Sequence, residues 1–206
     1  VERSRGLGDV YKRQPLQSHC VMLATGGHPS GRKLAEALGH QLVPPVPSLF
    51  SLTLQAPVLT ACSGIAIDAV GLDLKLGQQR FRQTGRVLIT HRGLSGPATL
   101  RLSAFAARAL HQSRYQGQLK LDWSAGLGHE GVEQRLQQWR QEQARRTLAA
   151  ARPFEHLPRR LWQAFLTMAG VEAERRWADL PLKAERQLLE ILCAQHLPIK
   201  GRGPFG

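Results

Sequence analysis

Hydrophobic positions change their spacing three times along the chain. Cys20-Val21-Met22-Leu23-Ala24 is a continuous apolar run ending in Thr25-Gly26-Gly27. That is the pattern of a buried parallel strand, and open α/β sheets place ligands at the carboxyl ends of such strands. Ser30 to Gly39 then predicts a short helix, with Ser30 as N-cap, Gly39 at its end and Leu34, Ala37 and Leu38 as its inward stripe. The prolines of Val43-Pro44-Pro45-Val46-Pro47 have fixed φ and no amide donor. Neither a helix nor a central strand continues through them, so a domain boundary is expected there.

From Leu49 to about Trp123 the period is two. Phe50, Leu52 and Leu54 alternate with polar residues, and the rhythm recurs in Ile65 to Val70, Leu72 to Leu76, Arg86 to Thr90 and Gln118 to Trp123. Glycines 64, 71, 77 and 85 punctuate these runs at hairpin-like spacing. Short strands of this kind are expected to close into a small barrel or sandwich. Ser95 to Leu110 interrupts them as a helix capped by Ser95, with Pro97 in its first turn and Leu100, Phe105, Ala106 and Ala109 apolar.

Beyond His129 the period lengthens again. Val132, Leu136 and Trp139 form one helical stripe, and Glu142 with Arg146 is expected to form an i,i+4 pair. Pro158 opens a second helix bearing Leu161, Trp162, Phe165 and Leu166, and Pro181 a third bearing Leu188, Leu189, Ile191 and Leu192. These three amphipathic helices can close a core together.

Composition adds limits. Hydrophobic residues make up 42% of the 206, enough for real cores. No apolar run approaches the roughly 20 residues that cross a bilayer. The three cysteines, Cys20, Cys62 and Cys193, are far apart in apolar surroundings, which reads as buried reduced thiols in a cytoplasmic protein. The histidines lack ligand spacing, so no metal is expected. The formal charge is +13; Val1 to Gln14 carries four basic and two acidic side chains, and +11 remains without it. Such a balance suits nucleic acid, an anionic cofactor or a solvated surface. Aromatics are only 6%, so stacking residues are scarce and the solvated surface ranks first. Arg145-Arg146 and Arg159-Arg160, near Trp139 and Trp162, form the basis of the competing reading, a basic noncatalytic interaction module that binds nucleic acid.

Two segments carry chemistry. Gly93-Leu94-Ser95-Gly96-Pro97 invites a serine-hydrolase reading, but Pro97 stands where a nucleophile elbow needs its second glycine, and the nearby His91 has no carboxylate to orient it. Ala24-Thr25-Gly26-Gly27 leaves room for a main chain to approach a phosphate or ribose. With the Ala37-Leu38-Gly39-His40 tail, the Pro-Ser-Leu-Phe entry at 47–50 and Ile89 to Ser103, it resembles the NAD(P)/FAD-dependent flavoproteins of the aminoacetone-oxidase-like and bile-acid dehydro-reductase-like family. The resemblance covers about Ser18 to Gly206 and departs after Gly27, where His28-Pro29-Ser30 enters the helix directly.

That resemblance implies an α+β chain: a remnant of an α/β FAD-binding domain, then a β-barrel insertion domain carrying a three-helix insertion. By position, Ala24, Thr25, Gly26 and Gly27 would touch FAD through main-chain atoms. The parent would be an FAD-dependent, NAD(P)H-linked oxidoreductase of a small-molecule substrate, cytoplasmic, with no membrane or nucleic-acid partner and no catalytic residue assignable. The expected division is 1–14, 15–46 (flavin-domain remnant), 47–127 (barrel), 128–197 (helices) and 198–206 (the start of a returning strand). Asp9 to Gln14 resembles the in-frame translation of a transposon end used in preparing sequencing libraries, so 1–14 is excluded from fold reasoning as a scar. No Gly-x-Gly-x-x-Gly turn precedes the strand, so the isolated chain is expected to be an inactive fragment with little flavin absorbance.

Overall fold

The computed structural model describes residues 19–203, so the segment read as a scar lies outside the described residues. The chain divides into two units, Val1–Pro45 and Val46–Gly206.

In the first unit, α1 spans Pro29–Ala37, and its N-cap is His28 rather than Ser30. Pro29 takes the first helical position, where its missing N–H costs nothing, and His28 Nδ1 accepts the Ser30 amide at 3.2 Å. The helix stops at a Schellman turn: the His40 amide reaches the Ala35 carbonyl at 3.0 Å and the Gly39 amide that of Glu36 at 2.9 Å, with Gly39 at φ +85°. The expected inward stripe is not buried. Leu34, Ala37 and Leu38 are exposed, and Gly31 alone is covered. Nor do Val21 to Ala24 form a strand among the described residues; a strand exists only where a neighbour takes up its N–H and C=O groups, and Met22 is 87% exposed.

In the second unit six strands close into an antiparallel barrel in the order β1-β4-β3-β2-β5-β6. They are β1 (Leu52–Leu54), β2 (Ala66–Leu76), β3 (Gln79–Thr90), β4 (Gly93–Ser95), β5 (Gly117–Asp122) and β6 (Gln195–Arg202). Alternation buries Leu72, Leu74, Leu119, Leu121, Leu197 and Ile199 inside. The runs at 65–70 and 72–76, expected as two strands, are one. Gly71 sits inside β2, and a bulge between Ile67 and Val70, with Ala69 at φ +56°, shifts the phase by one so that residues on both sides still face inward. β3 begins well before Arg86, because Gln79 to Thr84 pairs residue by residue with β2. β6 starts at Gln195, so the third helix of the helical part ends at 194 and the returning strand bridges β5 and β1.

The expected helix at 95–110 is two: α3 (Pro97–Phe105) and α4 (Ala107–Gln112), with a short α2 (Pro57–Thr60) before β2. Ser95 does not cap α3. It lies in β4 opposite Leu88, and the N-cap is Gly96 at φ +93°. Phe105 turns outward and is 70% exposed. Ser103 ties α3 to the barrel entry, its hydroxyl accepting the Phe50 amide at 2.9 Å.

The helical part comprises α5 (Gly128–Glu142), α6 (Arg159–Met168), a 3-10 turn at Trp177–Asp179 and α7 (Leu182–Ala194). Val132, Leu136, Leu161, Trp162, Phe165, Leu188 and Leu192 are buried as their spacing predicts, while Trp139 and Ile191 are half-buried. Trp177, absent from the expected stripes, is fully buried and stacks on Trp162 at 6.3 Å between centroids and 18° between planes. Its indole N–H donates to the Ala151 carbonyl at 2.8 Å, that of Trp139 to the same oxygen at 3.0 Å, and that of Trp162 to the Leu148 carbonyl at 2.8 Å. The expected Glu142–Arg146 pair does not form, because α5 ends at Glu142. Glu142 instead accepts from Gln138 at 2.7 Å, and Arg146 donates to Gln143 and Ala150.

Among the described residues no helix is long and apolar enough to cross a membrane. No disulfide joins the cysteines among the described residues, and only Cys62 is buried; Cys193 is half-buried and Cys20 exposed. Burial raises both inner thiols. Cys193, also facing Asp122 and Glu190, is pushed up to about 11.

Candidate functional site

The four residues singled out in the sequence fall in one exposed turn of the first unit. Thr25 to His28 forms the bend, the His28 amide reaching the Thr25 carbonyl at 3.4 Å, and Gly26 adopts φ +58°, a conformation open to glycine at little cost. The Thr25 side chain lies over the first turn of α1. A Cβ on Gly31 would sit 1.8 Å from Thr25 Oγ1, so Gly31 is what allows the turn to seat on the helix. His28 Nδ1 and Ser30 Oγ stand 2.7 Å apart at the same end.

Around Gly26 and Gly27 the main chain is accessible. A Cβ at either position meets nothing within 4 Å among the described residues, and neither amide donates to a described acceptor. Two free N–H groups beside the N-terminus of a helix suit an anionic or carbonyl-bearing ligand. Ala24 precedes them and is also exposed. These main-chain groups are the ones a cofactor held by backbone atoms would meet at this turn.

In the second unit, Ser95 lies in β4 opposite Leu88 of β3, and His91 in the exposed turn before that strand. The strongest electrostatic feature there is one that sequence spacing did not reveal. Asp73 on β2 accepts Arg80 Nε from β3 at 2.7 Å on Oδ1 and 3.0 Å on Oδ2, with Arg80 Nη2 also on Oδ2 and Arg82 Nε at 3.1 Å. The Arg80 hydrogen bonds, aided by Arg82 and opposed by partial burial, hold the Asp73 carboxyl below its ordinary range. The arrangement depends on register: Asp73 faces Arg82, and Lys75 faces Arg80, only when β2 and β3 pair as they do.

A carboxylate with a depressed folded pKa stabilises the fold above its unfolded pKa of about 4, and that contribution disappears as pH falls through the folded value. Asp73→Asn is therefore expected to lower the urea midpoint at neutral pH, with the gap to wild type closing as the pH drops below about 4. A gap that is constant down to about pH 2, or that opens on acidification, would show that the charge on Asp73 is not what the arginines hold.

Comparison with known proteins agrees with the barrel. The model of the HI0933-like protein barrel and H2TH domain matches residues 46–206. The ribosomal RNA dihydrouridine synthase of Haemophilus influenzae is 37% identical over 86 residues, covering 41% of this chain and 20% of that protein. The ribosomal RNA dihydrouridine synthase of Escherichia coli is 37% identical over 96 residues, covering 41% of this chain and 23% of that protein. The 3-dehydro-bile acid delta(4,6)-reductase of Clostridium scindens is 31% identical over 102 residues, covering 46% of this chain and 25% of that protein. The chain thus spans between a fifth and a quarter of the curated relatives' length. With more than half of its residues matched and a closed barrel bearing helices in the matched region, the chain belongs to the HI0933-like barrel and H2TH domain family, within the FAD-dependent oxidoreductase superfamily.

Proposed function

We propose that the chain is the barrel-and-helix part of an FAD-dependent reductase that saturates a carbon–carbon double bond conjugated to a carbonyl, and that its substrate is uridine in RNA. The observation carrying this reading is the family match over 46–206, joined by relatives whose names describe two reductions of that kind. RNA is favoured over the small molecule expected from the sequence because two relatives at 37% identity are named for ribosomal RNA and because the chain carries +11 outside residues 1–14. When bound, FAD supplies the hydride chemistry, with NAD(P)H as the reading's external donor. Ala24, Thr25, Gly26 and Gly27 would hold the cofactor through main-chain atoms, the exposed Gly26 and Gly27 amides being the donors available to it.

Deleting the coding gene from its host is expected to remove dihydrouridine from ribosomal RNA, measured by nucleoside mass spectrometry, and the intact gene to restore it. A gene carrying Gly27→Val is expected not to, since a Cβ at Gly27 meets no described atom within 4 Å and the added bulk stands in the way of a ligand. Unchanged dihydrouridine after deletion overturns the RNA substrate. Full restoration by Gly27→Val overturns the cofactor role of the turn. Retention of RNA with no change in any nucleoside is the outcome that favours the basic noncatalytic module.

A further inference from the structure

We infer that the outer wall formed by β3, β2, β5 and β6 is a docking surface for the phosphate backbone of helical RNA. The inference rests on the RNA reading above. Strand pairing sets Arg82 opposite Asp73, Asp73 opposite Lys120 and Lys120 opposite His196, one continuous row across four strands. At the usual strand spacing that row is about 14 Å long. Lys75 and Arg80 face each other one pleat away, and Lys200 lies two pleats beyond His196 on β6.

All of these side chains point outward, because their neighbours Leu72, Leu74, Leu119, Leu121, Leu197 and Ile199 fill the barrel. Arg80, Arg82, Lys75 and Lys120 thus neighbour Asp73, with Lys200 farther along β6, and that carboxylate is already engaged by Arg80 and Arg82. Lys75, Lys120 and Lys200 form no ion pair among the described residues. Asp122 lies one pleat beyond Lys120 on β5, on the side away from Lys75 and Lys200, and its Oδ1 accepts the Ser124 amide at 2.8 Å, so it borders the cluster as a second carboxylate.

The row carries no Phe, Tyr or Trp, so it has no platform for stacking unpaired bases. What it offers is an array of cations at strand spacing on the convex wall of the barrel. Such an array meets the backbone of a duplex, whose recognition is largely by shape and phosphate contacts.

The test is binding of the full chain to a fluorescent RNA hairpin, by anisotropy, over a series of salt concentrations. The triple variant Lys75→Gln, Lys120→Gln, Lys200→Gln is compared with Arg145→Gln, Arg159→Gln, Arg175→Gln, which removes the same charge from exposed positions of the helical part. Each lost phosphate contact flattens the plot of log affinity against log salt by roughly 0.7 to 0.9. The lysine variant is therefore expected to lose on the order of 100-fold at about 0.1 M salt, with a slope shallower by about 2 to 3. The arginine variant is expected to keep its slope, and far-ultraviolet circular dichroism to show both variants folded.

Equal loss in both variants would mean that net charge alone binds RNA, and would overturn the inference. So would absence of hairpin binding by the wild type, or lysine-dependent binding to phosphatidylserine vesicles without binding to RNA. Lysine-dependent hairpin binding alongside unchanged ribosomal dihydrouridine sinks the substrate reading and leaves this surface standing. Dihydrouridine lost on deletion, with normal RNA binding by the lysine variant, sinks only the surface.

Discussion

Trp162→Ala is expected to destabilise the helical part by about 3–5 kcal/mol, the usual cost of removing a fully buried large aromatic. Trp162 is wholly buried, stacks on Trp177 and approaches Phe154 at 6.5 Å. Its indole also satisfies the Leu148 carbonyl at 2.8 Å, so truncation leaves both a cavity and an unpaired acceptor in the interior. A domain of this size is stable by about 5–15 kcal/mol, so one substitution removes a large share of the margin. Urea unfolding followed by tryptophan fluorescence measures it. Trp139→Ala, at a half-buried position, is expected to cost less; equal costs would show that the stacked pair contributes no more than surface area.

Gly93→Ala is expected to prevent normal closure of the barrel. Gly93 pairs with Thr53 across the β1–β4 seam at φ +154°, and a Cβ there would lie 2.1 Å from the Leu52 carbonyl oxygen and 2.8 Å from the Leu54 amide nitrogen. Both atoms are backbone, so relief requires the strands to part. That breaks the pairing around the Leu54 amide and the Arg92 carbonyl, now 2.8 Å apart. Strain and overpacking together are expected to cost on the order of 3–5 kcal/mol. Gly64→Ala is the control: φ is +91° there, yet nothing lies within 4 Å, so only the conformational cost of about 1–2 kcal/mol remains. Midpoints of urea unfolding for the two variants, compared with wild type, decide the matter. A Gly93→Ala protein no less stable than Gly64→Ala would mean that the seam tolerates a side chain.

These expectations draw on different degrees of legibility in the sequence. Leu72, Leu74 and Leu76 read as a half-buried strand because side-chain direction alternates with chain position, a local rule. Leu161, Trp162 and Phe165 read as a helix stripe for the same reason at a period of 3.6. The first half of β3 was missed because Gln79 to Thr84 shows water almost entirely polar side chains, with Phe81 the one apolar marker. Trp177 was missed because a three-residue 3-10 turn is too short to have a period. In the candidate site, the glycines at 26 and 27 were visible as residues, while the Thr25 packing that sets their turn on Gly31 was not.

Periodicity alone, then, determined that this chain alternates between strand and helix, where most of its core residues lie and that its proline run separates two parts. Tertiary structure decided the rest: that six strands form a closed barrel, that Ser95 is a strand residue and not a helix cap, and that Val21 to Ala24 has no strand partner among the described residues. It also decided that Arg82, Asp73, Lys120 and His196 stand in one row, although 123 positions in sequence separate Asp73 from His196. The physical reason is that side-chain direction follows from neighbouring bonds, whereas strand register and closure follow from pairing between distant segments, which polar outward residues do not announce.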